Sequence, residues 1–497
     1  PGQYPYTRGV YPLMYQKRVW TRRLLTGHQC AEVFNAKTKE MMREGQTGVS
    51  MIPDNPFVHG YDSDMVDKEL VGRTGMSLDS IRDMEIAFSG ISLDEVSSSL
   101  QDSSPHTMEA LYFALAQKRG IPLEKLNGTT AQFDILSHWL ACQLLIRFPL
   151  EGHLRCLIDH AKFITEKVPK WHMSIEGQHM GEQGATPLQE LAFALSSGIF
   201  YVNEFIKAGL KVDDFAPQLS FFFTMHSDFF EGIAKLRAGR RIWAKLLKDR
   251  FGARNPRSWQ FKVHIQTTGV DLAPKQPLNN IARSALHTLA AVLGGVQSIH
   301  TDSYDEPLWT PTLESQRVAL MTQNIIAEET GVTNVVDPLG GAYFIESLTN
   351  EVEERAWEHI EKIDKMGGMF EALKKGYPQT EITKSAVQRQ KEIDSGERVW
   401  VGINKYAIPE EEEQHPPQVK VDPELIQRQI ERTQRLRKER DQKKAKEALD
   451  RMRAFAENGE GNIFEAIVEA AGVGITSGEI VRELREVFGF GRPPTFY

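Results

Sequence analysis

Four groups of residues in this chain have types and spacings that could do chemistry. The first is Tyr11-Pro12-Leu13-Met14-Tyr15, followed by Arg18, Trp20-Thr21-Arg22-Arg23 and Gly27. Aromatic rings interleaved with Arg and Lys can grip an anion that also carries a flat ring or a phosphate. A solvated N-terminal arm is the plainer reading. The second is Gly60-Tyr61-Asp62-Ser63-Asp64, which suits a turn, a calcium loop or a ligand contact, although no EF-hand spacing follows it. The third is Ile175-Glu176-Gly177-Gln178-His179-Met180, with Glu182 and Gly184 behind it. A histidine just past a strand can donate a hydrogen bond to a carbonyl, and it can equally be structural. The fourth joins His264-Ile265-Gln266-Thr267-Thr268-Gly269 to His300-Thr301-Asp302 and Asp305-Glu306. Those side chains could ligate a metal, but their spacing matches no zinc pattern, and no metal is expected.

The elements that must position these groups repeat along the chain. Short β-prone runs lie at Gly48–Ile52, Glu95–Leu100, Gly128–Phe133, His172–Gly177, Gln218–Phe223, Trp259–Ile265, Val296–His300 and Thr333–Asp337. Helical patterns separate them, among them Thr107–Arg119, Pro187–Ala208, Asp228–Arg250 and Asn279–Leu293. Alternating strands and helices imply parallel β-α units. Eight of them predict an α/β fold, a (β/α)8 TIM barrel with chemistry at the strand C-terminal ends; a doubly wound open sheet is the alternative. The runs are unusual for a packed barrel core, because they carry Ser97, Ser98, Ser99, Thr129, Thr130, Ser174, Ser220 and Thr267. Either these hydroxyls face helices and loops, or the barrel is hollow and threads an extended polar ligand.

The expected organisation is an N-terminal arm and first helix over 1–45, the barrel and its following helices over 46–407, an acidic Pro-containing linker over 408–421, and a C-terminal helical extension over 422–497. Asp422-Pro423-Glu424 reads as a helix start with Asp as N-cap and Pro in the first turn. That helix is expected to run to about Glu457 and stop at Gly459, with a further helical piece over Asn462–Val487 and an aromatic tail.

Composition bounds the function. The 497 residues are 41% hydrophobic and 25% charged, with a net charge of −8. That is ordinary for a globular protein and lacks the basic stripe of a nucleic-acid binder. Three cysteines, Cys30, Cys142 and Cys156, form no disulfide framework and no CxxC pair. The polar N-terminus lacks the apolar run of a signal peptide, and no stretch is apolar enough to span a bilayer. The expectation is a cytoplasmic enzyme with no nucleic-acid or membrane partner.

In this order the motifs resemble those of the methylmalonyl-CoA mutase family large subunit, and of its isobutyryl-CoA and 2-hydroxyisobutyryl-CoA mutase relatives. The markers are Tyr11-Pro-x-Met14-Tyr15, Trp20-Thr21-x-Arg23, Gly60-Tyr-Asp-Ser-Asp64, Gly128-Thr-x-x-Gln132-x-Asp134-Ile-Leu136, Gly177-x-His179-Met180, Ala216-Pro-x-Leu-Ser-Phe-Phe222, His264-x-Gln266-Thr267 and Asp337-Pro-x-Gly-Gly341. The resemblance implies a hollow barrel through which the pantetheine arm of an acyl-CoA threads. It implies a radical 1,2-shift of the CoA-thioester group, with adenosylcobalamin carrying the radical chemistry. His179 would hydrogen-bond the thioester carbonyl and Gln132 would contact the substrate. Tyr11, Met14, Arg18, Thr21, Arg23, Ser99, Thr130, Ser220, His264, Gln266 and Gln297 would contact CoA. Glu306 and Asp302 would lie at the adenosyl group. The family's Asp-x-His-x-x-Gly cobalt-ligand loop is absent from this sequence. The expectation is therefore a chain without its own cobalamin-binding domain, assembled as a hetero-oligomer with a cobalamin-binding small subunit.

Departures from the family bear on substrate. The positions that hold the methylmalonyl carboxylate are Cys142 and Leu25 here, and the acidic residue that serves a hydroxyacyl group is Ile52. A buried carboxylate without a partner costs several kcal/mol. With Gln178, Phe222 and Phe223, these residues imply a pocket for a branched acyl group without a carboxylate, such as isobutyryl, pivalyl or larger. Gln218, Gln101 and Asp302 also depart from the family. The alternatives are a catalytically silent CoA-binding scaffold subunit and a methylmalonyl-CoA mutase proper.

Overall fold

The computed structural model describes residues 1–142 and 146–492. Its centre is one parallel sheet with nine strand segments: β1 (Thr21–Arg22), β2 (Leu25–Thr26), β3 (Gly48–Met51), β4 (Ser97–Leu100), β5 (Asn127–Thr130), β6 (Trp171–Glu176), β7 (Leu219–Met225), β8 (Val263–Thr267) and β9 (Ser298–His300). The spatial order is β1-β9-β8-β7-β6-β5-β4-β3-β2. β1 and β2 are consecutive halves of one strand, divided at Arg23-Leu24. The first half pairs with β9 and the second with β3, so the two ends of the sheet are the same strand and the sheet closes. Arg23 N–H donates to the Ile299 carbonyl (3.1 Å) across one side of this seam, and Thr47 N–H to the Arg22 carbonyl (2.9 Å) across the other. The result is an eight-stranded α/β barrel.

Seven of the eight strands fall on runs legible in the sequence. The eighth does not. Thr333–Asp337 is not a strand: Val332–Asn334 forms a single 3-10 turn. Asp337 has a left-handed φ of 51°, and it accepts from Arg237 Nη1 at 2.5 Å and Arg8 Nε at 3.1 Å. The missing strand is Thr21–Thr26, from the segment assigned to the arm, so the barrel begins before residue 46.

Side chains alternate across each strand, and here the usual polarity is inverted. On β7, Ser220 and Phe222 face the axis, while Phe221 and Phe223 are fully buried under the helices. On β4, Ser97 and Ser99 face the axis, and Ser98 Oγ bonds Tyr112 Oη (3.0 Å) on the helix side. Met173, Ile175, Ile265 and Ile299 also point outward and are fully buried. The hydrophobic core is thus the ring between strands and helices, and the axis is polar.

Several helices begin where the sequence supplies caps. Thr186 and Gln189 form a reciprocal capping box with Pro187 in the first turn of Pro187–Lys207. Asp422 caps Pro423–Glu439. The long C-terminal helix expected to reach Glu457 is two helices: it breaks at Arg440, and Asp441 caps Gln442–Asn458 through the amides of Lys443 and Lys444. Gly459 ends that second helix at φ 71°. Ile463–Gly472 and Ser477–Phe488 follow. The aromatic tail, 493–497, lies outside the described residues.

The Gly60–Asp64 motif docks this extension. Arg437 donates to Asp62 and Asp64, each at 2.5 Å. Asp62 also accepts from Thr476 Oγ1 (2.6 Å) and from Gly478 N–H (2.7 Å). A Cβ on Gly478 would lie 2.6 Å from the Asp62 carboxyl carbon, so the glycine is what lets the two backbones approach. Gly60–Asp64 is therefore an internal clamp. No helix among the described residues is long and apolar enough to cross a membrane.

Candidate active site

A cavity of ≈ 700 Å³ occupies the N-terminal half of the barrel axis. Its wall comes from the inward positions of the strands: Ser97 and Ser99, Asn127 and Thr129, His172 and Ser174, Ser220 and Phe222, His264, and Ser298. The segment 11–23 closes its outer end with Tyr11, Met14, Arg18, Thr21 and Arg23. The lining contains four cations, Lys17, Arg18, Arg23 and Lys262, and no Asp or Glu.

The cations are not neutralised from within. Arg23 is 7% exposed and donates to Ser97 Oγ (3.1 Å), while its Nε has no partner. Burial, aided by Arg18, lowers its pKa to about 10. Burial and Arg257 lower Lys262 to about 8. His172 and His264 are pushed far below their ordinary value by burial, with Lys262 acting on the first and Arg23 on the second. His264 Nδ1 lies 2.8 Å from Ser298 Oγ. A buried channel with uncompensated positive charge suits an anion on a long polar body.

At the opposite, C-terminal end of the strands, chemistry gathers around His179. It sits on the short Gln178–Glu182 helix directly after β6. Its Nδ1 lies 3.2 Å from Glu176 Oε2 and 3.3 Å from Ser137 Oγ. The same Glu176 oxygen is 3.1 Å from His138 Nε2. Burial raises the Glu176 carboxyl, but the two imidazoles outweigh it and the net pKa is lowered. Burial lowers His179, and Glu176, with Asp134 and Glu182 behind it, reverses the sign so that its pKa is raised. Asp134 fixes the platform below: it accepts from Tyr201 Oη (2.7 Å) and from the amides of Leu136 and Ser137.

A second acidic group lies beside it. Asp302 accepts from Gln266 Nε2 (3.2 Å), lies 2.9 Å from His300 Nε2, and leaves Oδ2 without a partner. His300 Nδ1 accepts from Leu25 N–H (3.0 Å). Burial and Glu182 raise Asp302 well above the carboxylate range, and burial with Asp302 raises Glu306 to about 8. Glu182 accepts from the amides of Gly269 (3.1 Å) and Val270 (3.0 Å). A Cβ on Gly269 would lie 3.7 Å from Glu182 and 3.8 Å from Glu306. Carboxyl groups held protonated both donate and accept, which suits the hydroxyls of a sugar.

Of the eleven residues singled out for CoA, nine line the one cavity: Tyr11, Met14, Arg18, Thr21, Arg23, Ser99, Ser220, His264 and Gln297. Two do not. Thr130 points outward, accepting from Trp171 Nε1 (3.1 Å), and it is Thr129 that faces the axis. Gln266 belongs to the Asp302 group. Within the acyl set, Phe222 faces the cavity, its ring 4.8 Å from that of His264. Phe223 does not: it stacks on Phe221 outside the barrel under Lys235. Leu25, Ile52, Cys142 and Gln178 are half-buried around the strand ends, and Gln132 is half-buried in the turn after β5. Gln218 donates to the carbonyls of Ile164 and Val168, away from the axis. Gln101 is buried with its Nε2 unpartnered.

Of the His264, His300, Asp302 and Glu306 group, His300 Nε2 and Asp302 meet at 2.9 Å with Glu306 in electrostatic reach, while His264 Nδ1 turns to Ser298 Oγ and His300 Nδ1 is taken by the Leu25 amide. Two other clusters, His106–Glu109–His160 and His138–Glu176–His179, bring ligand-type atoms within 4.8 Å of one another. In each a carboxylate oxygen already faces the imidazoles, at 2.6 Å for Glu109–His160, so both are hydrogen-bonded clusters. Sequence reasoning names Glu176 and Glu182 only as part of the His179 motif, with no role of their own, and misses His138 and Lys262. Glu176 stands three residues before His179, across the Gly177 junction of strand and helix, and that nearness in sequence is the available signal.

The sequence comparisons agree with this geometry. A family profile described as methylmalonyl-CoA mutase matches residues 1–490. The chain is 41% identical to the 2-hydroxyisobutanoyl-CoA mutase large subunit of Aquincola tertiaricarbonis, over 100% of this chain and 88% of that one. It is 42% identical to the methylmalonyl-CoA mutase of Rhizobium meliloti (strain 1021), covering 98% of this chain and 68% of that protein. It is 40% identical to the mitochondrial enzyme of Homo sapiens, covering 98% of this chain and 65% of that protein. The chain belongs to the methylmalonyl-CoA mutase family.

Proposed function

We propose that this chain is the large subunit of an adenosylcobalamin-dependent acyl-CoA mutase, an isomerase that moves the CoA-thioester group between neighbouring carbons of a branched acyl chain without a carboxylate. The observation that carries the reading is the axial cavity, lined by hydroxyls and four cations with no carboxylate. Such a channel binds the phosphates of CoA at one mouth and delivers its thioester to the other.

In this reading Arg18, Arg23 and Lys262 hold the anionic end, and Ser99, Ser220 and Gln297 bond the pantetheine amides. His179 polarises the thioester carbonyl and Gln132 contacts the acyl group. The Asp302, Glu306 and Glu182 group fits the adenosyl sugar, given the unpartnered Asp302 Oδ2 and the space left by Gly269. Adenosylcobalamin, when bound, supplies the radical that removes a substrate hydrogen. A small subunit would bring it, as the name of the Aquincola relative suggests.

Two features support an acyl group without a carboxylate. Leu25, Ile52, Cys142 and Phe222 offer no cation, and Asp134, Glu176 and Glu182 surround His179 with negative charge. A free carboxylate there would add to those acidic groups, and the positive charge that faces them, on His179, is already paired with Glu176. The test is to assay the reconstituted complex on isobutyryl-, pivalyl-, 2-hydroxyisobutyryl- and methylmalonyl-CoA. Cofactor-dependent turnover of the first two is expected. Turnover of methylmalonyl-CoA alone overturns the substrate assignment, and no turnover of any acyl-CoA overturns the mutase.

A further inference from the structure

Glu176 ends β6 with no solvent exposure, and its Oε1 has no partner. Its other oxygen faces two imidazoles, His138 Nε2 at 3.1 Å and His179 Nδ1 at 3.2 Å. A buried carboxylate is costly without a positive or hydrogen-bonding partner, and among the described residues these two side chains reach it. They are not equivalent. His138 is fully buried, its Nδ1 lies 3.2 Å from Ser103 Oγ, and Arg147 stands near it. Burial, with Arg147 and His179 adding to it, lowers its pKa despite Glu176, so it is the neutral donor. His179 keeps 12% of its side-chain surface exposed, against none for His138. The charged groups facing it are Glu176 from β6, Glu182 from its own short helix, and Asp134 and His138 from the segment after β5, with His226 beyond Glu182.

The tautomer decides what His179 can do. A neutral imidazole has one N–H. If that proton sits on Nδ1 against the carboxylate, Nε2 can only accept. A thioester carbonyl also only accepts, so the two would not bond. With both nitrogens protonated, Nδ1–H holds the carboxylate and Nε2–H is free to donate.

We infer that Glu176 is a positioning residue that keeps His179 as an imidazolium, oriented so that Nε2–H donates to the thioester carbonyl oxygen. This rests on the acyl-CoA mutase reading. Glu176 itself does not touch the substrate. No proton leaves His179; the cation stands ready for any charge that grows on the carbonyl oxygen during migration, and an arrangement built in advance costs no reorganisation.

The test uses the full chain labelled with 13C and 15N histidine, without ligands, and assigns His179 by its loss in His179→Gln. Wild-type His179 is expected to carry both protons at pH 7 and to titrate above 6.5, its ordinary value. In Glu176→Gln the midpoint falls below wild type, and Glu176→Asp restores part of the shift. In the reconstituted enzyme, the alkaline limb of the pH–kcat profile moves to lower pH in Glu176→Gln, with KM for acyl-CoA changed less than about three-fold, because the CoA grip is at the other mouth. A neutral His179 at pH 7 in the wild type overturns the inference and needs no variant. So does a midpoint unmoved by Glu176→Gln in a chain that still binds CoA, or stoichiometric zinc that is lost in Glu176→Gln. A doubly protonated His179 in a chain that turns over no acyl-CoA sinks the mutase and leaves the ion pair standing.

Discussion

The two mouths of the barrel are built from the same eight strands and carry opposite kinds of ionisable group. The N-terminal mouth has Lys17, Arg18, Arg23 and Lys262 with no carboxylate in the lining. The C-terminal mouth has Asp134, Glu176, Glu182, Asp302 and Glu306, with no Lys or Arg among the groups that shift His179 or Glu306. Arg23 and Lys262 are pushed toward losing their protons, and Asp302 and Glu306 toward keeping theirs. In both places burial is the first cause. The two mouths therefore differ in kind: cations with no carboxylate beside them line one, and carboxyls pushed toward keeping their protons gather at the other.

The largest way to separate the two ends is His179→Ala. Turnover should fall about 10²–10⁴-fold, with CoA affinity by calorimetry unchanged within about two-fold. A parallel loss of affinity would show that the ends do not act independently. Next is Arg23→Met. Losing a charged donor costs on the order of 1.5–3 kcal/mol, so CoA should bind about 10–100-fold more weakly at nearly constant kcat. The variant should also lose part of the wild-type decline of affinity with ionic strength. Smaller still is a contrast between the outward register of β5 and the inward register of its neighbour β4. Thr130→Val should leave CoA affinity unchanged while lowering stability to denaturant by about 1–3 kcal/mol, because Trp171 Nε1 loses a buried acceptor. Ser99→Leu, on the inward register, should instead block CoA binding.

The last effect is in the pH dependence of stability. Glu306 is held protonated to about 8 in the fold, against an ordinary 4.5. Between those values the folded state binds more protons than the unfolded one, so stability falls as pH rises through that window and is level above it. Glu306→Gln should flatten that slope in denaturation curves taken from pH 5 to 9, with the gain in stability largest above pH 8. A slope that survives the substitution would place the shifted proton elsewhere.

Much of this was legible in the sequence. The β-α alternation and the family motifs gave the barrel, and nine of the CoA positions meet in one cavity. What was not legible has physical reasons. Thr21–Thr26 was passed over as a strand because Arg22 and Arg23 interrupt its apolar pattern, and Arg23 is basic only because it serves the interior. Thr130 and Phe223 were placed one residue out of phase. Alternation gives the period of a strand but not which face is inside, and the usual guide, apolar inward, is reversed here. Asp441 looked like one more charge in a charged helix, but it accepts from two amides and starts a new one. Glu176 was visible inside its motif, yet only the closed barrel brings His138, from a different β-α unit, to the same oxygen.

The seam at Arg23-Leu24 has a consequence for how the chain is made. β1 registers Thr21 against Ser298, roughly 280 residues further along, a separation that makes closure a late and slow contact. Until β9 exists, a nascent chain holds an open sheet with two unpaired edges, which invites association with other strands. The residue at the join, Arg23, also lines the anion channel. A CoA molecule in place would bridge both sides of the join, so ligand present during synthesis should act as a template for closure and raise the yield of the assembled chain.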